Sequence, residues 1–214
     1  MMIKILFVLL CLNTSLVFSY PSHWWGPTHS ETPIPEWEIL PEEGVFEESV
    51  ILSKRNELGI LSNFSATPFL LDGSRFASVE GFWQSLKYPE GKKDLRYGDD
   101  LLPFSRKEVE QMVGFEAKKA GSHASRLMKK HGVDWVSYQG KKMIYRERSK
   151  GLHYKLIFQA MKKKLMQNKK VREVLSKTKS LKLLPDHKTS PNDPPAWKYY
   201  QIWMQQRDNI LNNI

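Results

Sequence analysis

The chain has 214 residues, enough to bury one hydrophobic core and too few for two large domains. Hydrophobic residues make up 41% of it, which excludes wholesale disorder. Its 33 lysines and arginines outnumber the 23 aspartates and glutamates, and a formal net charge of +10 suits phosphate-bearing partners.

Met1-Met2-Ile3-Lys4 is a short basic start, residues 5–12 are apolar, and Val17-Phe18-Ser19 offers a cleavage site. This pattern predicts a secretory signal peptide over residues 1–19, cut after Ser19, with an uncleaved anchor as the alternative. The apolar run is too short to span a membrane, and Asn13, Thr14 and Ser15 interrupt it. The mature protein is therefore expected to be secreted or periplasmic, with no membrane segment. The only cysteine, Cys11, falls inside the peptide, so the mature chain is expected to lack disulfides, thiolate chemistry and cysteine-bound metals. Residues 20–48 are proline-rich and carry Trp24, Trp25 and Trp37 without helical or strand period. They read as an arm or linker that lays its tryptophans on the surface of a domain spanning 49–214, or that offers them to a partner.

A first strand is expected over residues 48–53. Residues 68–76 form two apolar runs joined at Asp72-Gly73, the preferred pair for a tight hairpin. Ser78 stands at a helix N-cap, and a helix is predicted over residues 79–88. On it Glu80, Gln84 and Lys87 fall at i, i+4 and i+7 and share a face. That face is either a solvated, salt-bridged surface or the lining of a pocket.

Residues 92–100 read as a loop. A second helix opens at Ser105, with Glu108 completing a capping box and Val109, Met112, Val113 and Ala117 as its apolar stripe. Residues 122–130 continue as a separate piece beyond Gly121. Asp134-Trp135 is assigned to a loop before a long helix over residues 139–167, weakened at Gly151. A short helix over 171–177, a strand over 181–184, a polar loop over 185–195 and a final helix over 197–212 complete the chain. The fold class expected is α+β, a helix-dominated single domain with a few short strands.

Lysine pairs crowd the chain after Lys118, yet no helix-turn-helix, zinc-finger or aromatic RNA-binding motif accompanies them. Nucleic acid enters only as a carrier of the substrate. The phosphate loop, the dinucleotide fingerprint, the serine elbow and the zinc helix motif are all missing, and His123, His131, His153 and His187 lack metal spacing. No metal and no cofactor are expected. What remains is carboxylate and lysine chemistry, which suits cleavage of an N-glycosidic bond. A carboxylate stabilises the oxocarbenium-like transition state, and a desolvated lysine adds to a ring-opened sugar aldehyde. Glu80 and Lys87 are roughly 10 Å apart along a helix, with Gln84 between them to meet ribose hydroxyls.

The succession L-S-N-F, P-F-L-L-D-G and S-V-E-G-F-W-Q-S-L-K over residues 61–87 resembles the opening of the NADAR family, and a weaker likeness extends over residues 50–211. The resemblance implies a mostly helical α+β fold and hydrolysis of N-glycosidic bonds on ribosylated substrates. These are phosphoribosylated riboflavin-pathway intermediates in YbiA-like members and ADP-ribose on guanine in others. It implies Glu80 and Lys87 as the catalytic pair and Asn63 as the S-N-F asparagine. Trp135 matches the family's D-W tryptophan, a platform for a base or ribose. Asp193 and Trp197 stand in for a late D-x-x-W-G element, and Asp186 for the acidic residue upstream of it. The chain departs from the pattern at Gly81, where a His is usual, at Val133, where an Arg is usual, and at P-P-A-W-K, which lacks the W-G pair. The function expected is a metal-independent N-glycosidase. A non-catalytic ADP-ribose or NAD-binding module and an exported effector are the rival readings.

Overall fold

The computed structural model describes residues 20–100 and 102–211. The expected signal peptide, its cut after Ser19 and Cys11 lie outside the described residues. The architecture is α+β and helix-dominated, as expected. Among the described residues the strands form three separate two-stranded sheets.

The sheet that matters most joins the two ends of the domain. Strand β1 (Ser49–Ile51) runs parallel to β6 (Lys182–Leu184), with Ile51 opposite Leu184. All three β1 residues are buried, while β6 buries Leu183 and leaves Lys182 exposed, so β1 is the inner strand of the pair. Beyond their C-terminal ends the chain delivers Lys54 from one strand and Asp186 from the other.

The hairpin β2 (Phe69–Leu71) and β3 (Ser74–Phe76) turns at Asp72 and Gly73, with φ 49° and 80°. Both central residues lie in the left-handed region, as a type I′ turn demands. Helix α1 (Val79–Ser85) follows. Its cap is the one expected: Ser78 Oγ accepts from the Gly81 amide at 2.8 Å and donates to the Met112 carbonyl at 2.8 Å. The helix stops at Ser85, short of residue 88, because Pro89 disfavours helical geometry in Tyr88. Side chains and backbone from elsewhere take the freed carbonyls: Arg96 donates to Lys87 O at 2.6 Å and Ser137 N to Leu86 O at 3.1 Å.

Gly81 has a steric explanation. A Cβ there would stand 2.4 Å from Met112 O and 2.9 Å from Val109 O, both backbone. Gly81→Ala is expected to cost on the order of 1–3 kcal/mol in a urea melt, as overpacking does; an unchanged midpoint would show that the two segments separate freely.

Helix α2 (Arg106–Glu110) carries the expected capping box, and α3 (Gly114–Lys130) follows. The break falls before Gly114, which adopts φ 55° and donates its amide to Phe64 O, and not at Gly121. Gly121 stays helical. A Cβ on it would stand 1.7 Å from Gln84 Oε1, so its missing side chain is the space that Gln84 occupies.

A second correction concerns residues 134–151. Strands β4 (Trp135–Tyr138) and β5 (Lys141–Ile144) form a hairpin where a loop and the start of a long helix were expected. Gln139 and Gly140 take φ 49° and 75°, a second turn of the primed type, and Val136 pairs with Met143 on the buried face. Gly151 is therefore the N-cap of α4 (Leu152–Gln167), not a weak point inside it. Helices α5 (Lys169–Lys177) and α6 (Tyr199–Leu211) complete the chain.

The arm is not a surface drape. Trp24 is fully buried in the main core with Val50, Leu58 and Trp203, and its indole N–H donates to Glu57 at 2.7 Å. Trp25 donates to Ser49 O at 2.8 Å, while Trp37 stays exposed. Among the described residues no helix is long and apolar enough to cross a membrane.

Candidate active site

A cavity of about 460 Å³ opens where the C-terminal ends of β1 and β6 face the first turn of α1. Its size is that of a small-molecule site, roughly 300–1,000 Å³. The loop 62–65 forms one wall. Lys164, fully buried on α4, holds that loop from behind by donating to Ser62 O and Ser65 Oγ, each at 2.7 Å. Burial pulls the Lys164 ammonium well below its usual pKa. Asn63 in turn fixes α1, because its carbonyl accepts the Glu80 amide at 2.9 Å.

Glu80 faces the cavity and is 7% exposed. Its Oε1 accepts from Gln84 Nε2 at 2.7 Å, the i to i+4 pairing that the spacing allows. Desolvation raises its pKa above the usual carboxylate value. The Gln84 bond and the charges of Lys87, Lys118 and Lys54 oppose that shift without cancelling it. The polar face of α1 is thus a buried lining, not a solvated one.

Lys54 and Asp186 form an ion pair on the opposite wall. Burial alone would raise Asp186, yet the bonds from His187 and Lys54 outweigh it and hold the carboxylate below its usual range. Residues around the cavity also carry unpaired polar atoms. Asn63 Oδ1, Gln84 Oε1, Trp83 Nε1 and Trp197 Nε1 are buried without a partner among the described residues, and all four residues line it.

The structure thus brings together Glu80, Gln84, Asn63, Asp186 and Trp197 from the sequence reading. Lys87 is buried beside the cavity and does not line it. Its Nζ donates to Ser125 Oγ at 3.0 Å and lies 4.7 Å from the centroid of Tyr145, a lining residue. Trp135 and Asp193 are not brought here. The Trp135 ring is covered by the Arg96 guanidinium at 4.5 Å and the Lys142 ammonium at 3.9 Å, so it packs on cations beside a separate hollow. Asp193 accepts the Ser190 amide at 2.8 Å and closes its own loop. Sequence reasoning missed Lys54, Trp37, Phe64 and Phe115, and counted Lys118 only as surface charge. In the sequence Trp37 reads only as an arm tryptophan open to a partner and Phe64 only as the end of the L-S-N-F motif, while Lys54 and Phe115 give no periodic signal at all. Among the described residues no group of three or more His, Cys, Asp or Glu gathers as a metal site.

A family model described as Bacteriophage protein GP30.3 matches residues 55–190. The NMR structure of the Escherichia coli protein YbiA is similar at 17% identity and a TM-score of 0.47, covering 79% of this chain and 89% of that one. No curated protein matches the chain.

Proposed function

The chain belongs to the family described as Bacteriophage protein GP30.3, and we propose that it is a metal-independent N-glycosidase acting on a ribosylated, nucleotide-like substrate. The observation that carries this reading is Glu80: a buried carboxyl with a raised pKa, facing a cavity edged by lysines. A carboxyl that burial makes hold its proton more tightly than a solvated one is suited to general acid work. The glycosidic C–N bond breaks with its electron pair on nitrogen, which takes the Glu80 proton; a water oxygen bonds to the anomeric carbon, and the proton it sheds restores the Glu80 carboxyl. Gln84 orients Glu80 through its amide N–H. Lys87 is the amine proposed to trap a ring-opened sugar aldehyde, after leaving Ser125. The likeness of the 61–87 motifs to the NADAR family supports the same substrate class.

The test is turnover. Folded protein is expected to split ADP-ribosylated guanosine into ADP-ribose and guanosine, or a phosphoribosylated pyrimidine intermediate into ribose phosphate and the free pyrimidine, and borohydride is expected to trap an adduct that Lys87→Ala loses. Absence of product from both substrates would sink the enzyme. A binding module is the second reading, favoured by the engagement of Lys87 with Ser125. Saturable binding with the ligand recovered intact would select it.

A further inference from the structure

The cavity is graded from floor to mouth. Its floor is polar and nearly closed, with Asn63, Glu80 and Gln84 at 8%, 7% and 9% exposure. Its mouth is aromatic and open, with Trp37 and Phe115 at 43% and 58%. Phe115 meets Phe64 at 5.1 Å and Trp37 at 6.2 Å, the latter pair edge to face at 63°. An edge-to-face pair this exposed leaves ring faces uncovered. The Lys118 ammonium stands among these rings, 5.9 Å from each of the three centroids.

The placement of Trp37 is built into the fold. Its neighbour Glu38 receives two hydrogen bonds from Arg55, both 2.7 Å, and forms an antiparallel bridge with His187. The Ile39 amide donates to Asp186 O at 2.9 Å. Arg55 follows Lys54 and His187 follows Asp186, so the arm is tied to the two segments that deliver the site's ion pair.

We propose that Trp37, Phe115 and Lys118 form an outer subsite for a planar nitrogenous base and its adjoining phosphate, on a ligand whose ribose lies at Glu80. Aromatic faces stack on any base, and an ammonium beside them meets the phosphate that joins base-side and ribose-side groups. The inference rests on the reading of Glu80 as the ribose end and adds the other half of the ligand. It also gives the arm a role, because Trp37 lies outside the matched residues 55–190.

Calorimetry with ADP-ribose and with ribose 5-phosphate tests it on wild type, Trp37→Ala, Trp37→Phe and Phe115→Ala. Wild type is expected to bind ADP-ribose at least about tenfold more tightly than ribose 5-phosphate. Trp37→Ala should remove most of that advantage and leave ribose 5-phosphate unchanged, while Trp37→Phe keeps it. Equal binding of both ligands by wild type, or unchanged ADP-ribose affinity in both alanine variants, overturns the subsite and leaves the Glu80 reading standing. Failure of wild type to bind either ligand removes the Glu80 reading and the subsite with it. Trp37 and Phe115 are exposed, so the variants fold.

Discussion

Glu80→Gln is expected to lower turnover by at least about 10²-fold, the usual loss when a positioned acid is removed, and at the same time to make the protein more stable at neutral pH. The second effect follows from the direction of the pKa shift. Burial raises the folded carboxyl above its ordinary value of 4.5, so the native state holds a proton that the unfolded chain has released. Folding therefore loses stability as pH rises from that value through the folded pKa. Below it both states are protonated and nothing is lost. Glutamine does not titrate, so its advantage should be present at about pH 7 and vanish below about pH 4.5. Thermal melts of the two proteins across this range provide the measurement. A variant whose melting temperature tracks wild type at every pH would mean that Glu80 is not held in a desolvating environment, and full turnover would remove it from the chemistry.

Trp24→Ala is expected to cost roughly 3–5 kcal/mol, as truncation of a fully buried tryptophan does, and deletion of residues 20–48 still more. The indole is enclosed by the main core and donates to Glu57, which also pairs with His23 from the same arm. Trp37→Ala, at the cavity mouth, should leave the denaturation midpoint close to wild type. This contrast separates two tryptophans of one segment, one holding the fold and one at the cavity mouth, where the outer subsite is proposed. If the truncated protein unfolded at the same urea concentration as the full chain, the arm would revert to a linker and the outer subsite would lose its anchor.

The elements read correctly from sequence were those whose signals are local. Asp72-Gly73, Ser78 with Gly81, and Ser105 with Glu108 each act within a few residues, through a turn dihedral or a cap. The hairpin over 135–144 was missed because Gln139-Gly140 is a less familiar pair for the same turn, and because the apolar period of α4 was extended back through it. Gly121 was misread as a helix break for a different reason. Its role is to admit Gln84 from another helix, and no window around it contains Gln84.

The same division runs through the site. The sequence alone determined that an acid and an amide share one face of α1, because helical spacing dictates it. Whether that face meets water was decided by α3 packing across it and by the 62–65 loop held on Lys164. Tertiary structure alone joined Lys54 to Asp186, 132 residues later, by aligning β1 with β6. It likewise set Trp37 beside Phe115 and Trp135 beneath Arg96, whereas Asp193 is engaged locally, by the amide of Ser190. Backbone propensities and caps act over one or two turns of chain, whereas a cavity is made where distant segments fail to fill space. Its walls are therefore fixed by packing.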